Sequence, residues 1–301
     1  MTANPILGVQ HSAVEGPLPP GACDCHTHVF GPAARYAFDP GRTYTPADAV
    51  VDDLLAHQRA LGLDRVVIVQ PSPYGTDNSC TLDAVARLGE AARAVAVIDP
   101  ALPPSALDAL HVAGVRGVRL NLETAGLHDP EAAAGLLRQA AEQVGPLGWH
   151  VQVYTNLAVL AALRRDIEAL RVPLVVDHFG RAMAAAGPRQ RGFDALLDLV
   201  RSGRVWVKLS AAHRIAARPD DAGPLAAALI AANPARMLWG SDWPHPGGGK
   251  PRGAHDVDTI EPFEPVDDGR ALNLLRRWAG DPAMLRTILV DNPALLYGFP
   301  Q

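Results

Sequence analysis

Cysteine is scarce in this chain of 301 residues: Cys23, Cys25 and Cys80 are all it has. They form no C-x-x-C pair, which argues against a zinc ribbon or a redox dithiol. An odd, sparse set of thiols fits a reducing cytoplasm better than a disulfide-stapled secreted fold. The N-terminus lacks a basic segment followed by an apolar one, so no signal peptide is expected. No uninterrupted apolar run is long enough to span a bilayer, and residues 225–232 read as a packed Ala-rich helix. Positive charge is not in excess. The formal net charge is -5, which leaves nucleic acid and anionic membrane surfaces without an electrostatic basis as partners. Low-complexity tracts and short repeats are absent. No G-x-G-x-x-G follows the first strand-like segment, which counts against an open dinucleotide-binding sheet.

What is present fits one large globular core: 48% of residues are hydrophobic and 20% charged. The length suits a single α/β barrel. Residues 1–20, rich in Pro and Gly, are expected to form a surface arm, with residues 21–301 as the barrel domain. Residues 244–253 read as a loop. Eight strand-like segments stand out, at 22–29, 65–71, 94–100, 115–122, 149–155, 173–180, 205–210 and 236–243. Most are continuously apolar, as strands buried on both faces are. Segments with helical spacing, such as 132–144 and 157–170, separate most of them. Strand alternating with helix implies βαβ units, and eight units imply a closed (β/α)8 TIM barrel.

Polar residues gather at the C-terminal ends of these segments: His26 and His28, Gln70 and Ser72, Asp99, Arg119 and Asn121, Tyr154, His178, Lys208 and Ser210, and Asp242. Active sites of such barrels lie at that face. In Asp24-Cys25-His26-Thr27-His28, strand alternation puts Asp24, His26 and His28 on one face and the cysteines on the other. If the histidines face the lumen, Cys23 and Cys25 pack against helices. By the same alternation Asp177 points away from His178 and reads as structural. His26, His28, His178 and Asp242 are enough ligands for one divalent metal. They are equally enough for a base and an oxyanion clamp without one.

The stretches at 23–32 (CDCHTHVFGP), 44–49 (YTPADA), 70–78 (QPSPYGTDN), 117–121 (GVRLN), 177–181 (DHFGR), 239–246 (WGSDWPHP) and 291–297 (DNPALLY) together resemble the amidohydrolase superfamily. They are closest to its branch of 2-pyrone-4,6-dicarboxylate lactonase-like enzymes. The resemblance implies hydrolysis of a small anionic lactone in aromatic-compound catabolism. It implies Asp242 as the base that activates water, with His26, His28 and His178 polarising the lactone carbonyl. Arg119, Arg181 and Arg214, with Ser72 and Tyr154, would hold the substrate's carboxylates or carbonyl. Planar guanidinium groups suit that task.

The chain also departs from that pattern. Strand four offers no lysine for a carbamate bridging two metals, and Tyr154 stands where binuclear members place histidine. A binuclear site is therefore not expected. Turnover without a cofactor is preferred, with one Zn or Mn ion on His26, His28, His178 and Asp242 as the alternative. Tyr74 stands in place of an expected histidine, and Leu122-Glu123-Thr124 in place of a more basic loop. These changes leave muconolactone-type, sulfonated and sugar-acid lactones open beside the pyrone. The competing functions are a mononuclear-metal sugar-acid lactonase or decarboxylase on the same barrel, and a non-catalytic ligand-binding barrel. The latter has no need of an acid–base pair beside its arginines.

Overall fold

The computed structural model describes residues 7–123, 125–127, 129–247 and 257–300. Eight parallel strands follow one another around a barrel: β1 (Cys23–Thr27), β2 (Arg65–Val69), β3 (Ala92–Ala96), β4 (Val115–Asn121), β5 (His150–Tyr154), β6 (Leu174–Val176), β7 (Val205–Ser210) and β8 (Met237–Gly240). Each of the eight expected segments holds a strand; the third begins two residues earlier than read and ends at Ala96, leaving Asp99 exposed, and the sixth is strand only over Leu174–Val176, with His178–Arg181 in a 3-10 turn. Helices such as α1 (Val51–Leu61), α2 (Ser79–Leu88), α3 (Pro104–Val112), α4 (Pro130–Val144) and α5 (Leu157–Ala162) cover the outside. No helix among the described residues is long and apolar enough to cross a membrane.

Two buried clusters divide the interior. The larger lies between strands and outer helices. The smaller joins Cys23, Cys25, Val67, Val69, Val95, Val175, Trp206 and Leu238 with Tyr297 and Phe299. Its strand residues come from opposite sides of the barrel, so it fills the lumen, and the C-terminal segment plugs it from below. The cysteines therefore face inward, contrary to the expected alternation. A register irregularity between Asp24 and Thr27 breaks the two-residue period. Cys25 and His26 thus both reach the lumen.

The ring closes where the site lies. Asp242 N donates to His26 O (2.8 Å) and His28 N to Trp243 O (2.8 Å). Asp24 Oδ1 accepts from the backbone N–H groups of His26 (3.1 Å) and Ser241 (3.0 Å). Gly240 is required by this closeness, because a Cβ there would stand 2.6 Å from His26 Cβ and 2.8 Å from His26 N. Gly240→Ala is expected to cost about 1–3 kcal/mol through overpacking and to displace His26. Thermal melting and kcat should fall together; a variant that keeps both would separate this contact from the site.

The described part of the arm, from residue 7, lies against α6 (Asp268–Ala279). Ser12 donates to Asp267 from both its N and its Oγ, and Asn273 pairs with Ala13 O and Glu15 N. Asp268 N donates to His11 Nδ1, while the Asp268 carboxylate meets His57 (2.8 Å) and His245 (3.0 Å). Of the expected loop at 244–253, residues 248–253 lie outside the described part, as do residues 1–6 of the arm.

Candidate active site

Three imidazoles converge on one carboxylate oxygen. His26 Nε2 and His28 Nε2 lie 3.5 Å from Asp242 Oδ1, and His178 Nε2 lies 3.6 Å from it. All four side chains are buried. The chain reaches this arrangement through backbone irregularity: His178 has φ 49° and Asp242 φ 73°. Such values are uncommon outside glycine and cluster at functional sites.

Each ring is fixed from its far side. His28 Nδ1 lies 2.7 Å from Val69 O; a carbonyl only accepts, so Nδ1 carries the proton. Burial lowers the pKa of His28, against the facing Asp242 carboxylate, which raises it; in the neutral ring Nε2 is a lone pair. His178 Nδ1 meets Ser210 Oγ at 2.8 Å, and burial pushes its pKa down to about 4. His26 Nδ1 lies 3.2 Å from Asp177 Oδ1 and 3.1 Å from Lys208 Nζ.

Asp177 does not point away from the site as strand alternation predicts, although it does serve as a structural support. It faces the lumen, in step with the inward Val175, and is fully buried. His178 is brought to the same side by its positive φ. Beneath the histidines, Asp177 meets Lys208 (3.5 Å), Arg119 (3.3 Å) and the Gln152 amide (3.1 Å). Lys208 in turn donates to Gln152 Oε1 (2.7 Å). Burial opposes the charge of Asp177, yet the facing His26 and Lys208 hold its carboxyl well below the usual range. Burial lowers the pKa of Lys208. Of this polar floor, Lys208 stands out in the sequence as a polar residue at a strand end, whereas Gln152, inside an apolar strand, does not.

A pocket opens above. Of the expected residues, His28, His178, Asp242, Ser72, Tyr154, Arg119 and Arg214 line it; Tyr44, Asn121, Pro71 and Pro246 join them. His26 sits below the lining. Arg214 holds Asp242 Oδ2 through Nε and Nη2, both at 2.9 Å. Burial alone would raise the Asp242 pKa, but this guanidinium overrides it and keeps the carboxyl well below its ordinary value. Arg181 stands back from the lining and donates to the Tyr154 hydroxyl at 2.6 Å. Tyr74 is buried, its hydroxyl accepting from Gly31 N (2.7 Å). It therefore supports the rim loop.

The donors also suit a cation. Ligand atoms of His26, His178 and Asp242 lie within 4.8 Å of one another. His26 Nε2 is buried with no hydrogen-bond partner among the described residues. His28 Nε2 faces the Asp242 carboxylate at 3.5 Å, and in the neutral ring those two acceptors would take a cation between them.

A (β/α)8 barrel with histidines and an aspartate at its strand ends is an enzyme scaffold of the hydrolase type. The chain belongs to the amidohydrolase family, which it matches over residues 23–299. It is 39% identical over 291 residues to the 4-sulfomuconolactone hydrolase of Rhizobium radiobacter, covering 93% of this chain and 91% of that one. It is 35% identical over 292 residues to a 2-pyrone-4,6-dicarboxylate hydrolase of Comamonas testosteroni, covering 93% and 91%. A solved Agrobacterium tumefaciens structure superposes with a TM-score of 0.80 at 27% identity, covering 96% of this chain and 99% of that one.

Proposed function

We propose that this enzyme opens an anionic lactone of the muconolactone or pyrone type by water attack, in the catabolism of aromatic compounds. The observation that carries this reading is the convergence of three imidazoles on Asp242 at the floor of an arginine-lined pocket. The similarity to two lactone hydrolases supports it. In the reaction, water oxygen bonds to the lactone carbonyl carbon as Asp242 takes the water proton. The tetrahedral oxyanion collapses, the ring C–O bond breaks, and the proton passes to the departing oxygen. Arg119 and the Tyr154 hydroxyl orient the substrate. Three buried, unpaired cysteines accord with a cytoplasmic site of action.

His28 Nε2, as a lone pair, accepts and does not donate, so a neutral His28 is unable to polarise a carbonyl directly. That observation favours the one-ion alternative over the metal-free preference drawn from sequence. A Zn or Mn ion held by His26, His28, His178 and Asp242 supplies Lewis acidity and lowers the pKa of attacking water when bound.

The test is a panel of carboxylated, sulfonated and sugar-acid lactones, assayed before and after exhaustive chelation, with metal content measured on the same sample. Ring opening of an anionic lactone, lost on stripping and restored by stoichiometric zinc or manganese, is expected. Full activity of metal-free protein would return the chemistry to the protein side chains alone. No opening of any lactone would overturn the function.

A further inference from the structure

We propose that the pocket is built for a lactone bearing a single anionic group, bound by Arg119, and that Glu123 bars a second anion from the Arg181 side. This rests on the lactone reading above and narrows its substrate class.

The three expected clamps are not equally available. Arg214 commits Nε and Nη2 to Asp242 Oδ2 and donates from Nη2 to Pro246 O (2.7 Å). Arg181 is held by its own acid: Nε lies 3.4 Å from Glu123 Oε1, and Nη1 donates to Tyr154. Glu123 is itself fixed, since its N donates to Tyr154 O (3.0 Å) and its Oε2 accepts from Asn156 Nδ2 (3.2 Å). Arg119 differs from both. It lines the pocket, and its buried Nε has no hydrogen-bond partner among the described residues. Its one acid, Asp177, is shared with Lys208.

Charge counting agrees. Arg181 is offset by Glu123 and Arg214 by Asp242, whereas Arg119 and Lys208 share Asp177, so the surplus cation among these side chains lies on the Arg119 side. One substrate anion balances that side; an anion beside the already paired Arg181 and Glu123 gains no such partner. On the Arg181 side the chemistry suits a neutral oxygen. The Tyr154 hydroxyl accepts from Arg181, so its own hydrogen is left to donate into the pocket. The Tyr154 ring lies between the two guanidiniums, 5.6 Å from that of Arg119 and 5.5 Å from that of Arg181. A carboxylate placed at Tyr154 would approach the Glu123 carboxylate behind Arg181, and like-charge juxtaposition of this kind is how sites reject wrong ligands.

The experiment compares matched pairs: 2-pyrone-6-carboxylate with 2-pyrone-4,6-dicarboxylate, and a carboxymethyl butenolide with its ring-carboxylated analogue. The wild-type enzyme should favour the monoanion in kcat/KM. Glu123→Gln keeps the shape and removes the charge, and should shift the ratio toward the dianion by about tenfold or more. Glu123→Asp keeps the charge and should hold the wild-type ratio. Benzoate and isophthalate, which cannot be opened, carry the same comparison into calorimetric binding. If no lactone is opened, the function fails while the binding preference still decides the charge assignment. A wild-type preference for the dianion, or a folded Glu123→Gln protein with an unchanged ratio, would overturn the assignment.

Discussion

Asp242→Asn should lower kcat by about a hundredfold to ten-thousandfold while leaving the fold intact. The amide keeps the shape of the carboxylate and still accepts from Arg214, whose Nε and Nη2 reach Oδ2 at 2.9 Å. It loses the ability to take a proton from water. It also removes the negative charge toward which His26, His28 and His178 converge, so metal affinity should drop in the same variant. The measurements are kcat on an anionic lactone, metal content after dialysis, and melting temperature. A variant with near-normal turnover would remove Asp242 from the role of base. A variant that loses activity only because it unfolds would show in the melt.

The barrel was legible in the sequence because its signal is repetitive. Eight apolar runs with helical spacers admit few other folds, and errors at individual ends, such as the two-residue offset of β3, do not change the count. The residues of the site were legible for the same reason: polar side chains recur at one end of most of the strands. Their orientation was not, because orientation was inferred from strict alternation, and alternation fails at the histidines. The register irregularity after Asp24 turns His26 inward beside Cys25. A positive φ at His178 adds a second inward side chain after Asp177. Both irregularities belong to tertiary closure around the site and leave little trace in residue type. Other residues of the sequence do carry a trace of the floor. Lys208 is one of only two lysines in the chain and interrupts an apolar strand at an inward position, as Gln152 does. Charged and amide groups at the centre of a barrel strand need partners, and their partner is Asp177. The pairing of Arg181 with Glu123 depends on two loops meeting in space, which spacing alone does not reveal.

The polar floor leads to the second large effect. Asp177→Asn should destabilise the protein by about 3–5 kcal/mol, the usual consequence of removing one partner from a buried ion pair. Lys208 Nζ and Arg119 Nη2 would lose the carboxylate that stands 3.5 Å and 3.3 Å from them, with both side chains still out of solvent. Arg119 remains charged under all accessible conditions. Lys208 has another route, because burial already depresses its pKa and Asp177 is what raises it. Without Asp177 it should shed its proton in the folded state and regain it on unfolding, where the ordinary pKa is about 10.4. The unfolded chain then binds more protons than the folded one, so the variant's stability rises with pH up to that value. The deficit relative to wild type should therefore narrow as pH rises from neutrality toward about pH 10. Lys208→Met in the Asp177→Asn background removes the stranded ammonium. It should recover part of the loss and flatten the pH dependence, a coupling that a double-mutant cycle reads directly. Activity should fall in the single variant even where it is folded, because one amide oxygen cannot serve both His26 Nδ1, 3.2 Å from Oδ1, and the Arg119 and Gln152 groups at Oδ2, and the charge that orients the His26 ring toward Asp242 is gone. Denaturant melts at several pH values, with kcat measured on the same samples, test both parts. An Asp177→Asn protein as stable and as active as the wild type across that range would show that the histidines hold their places without the floor beneath them.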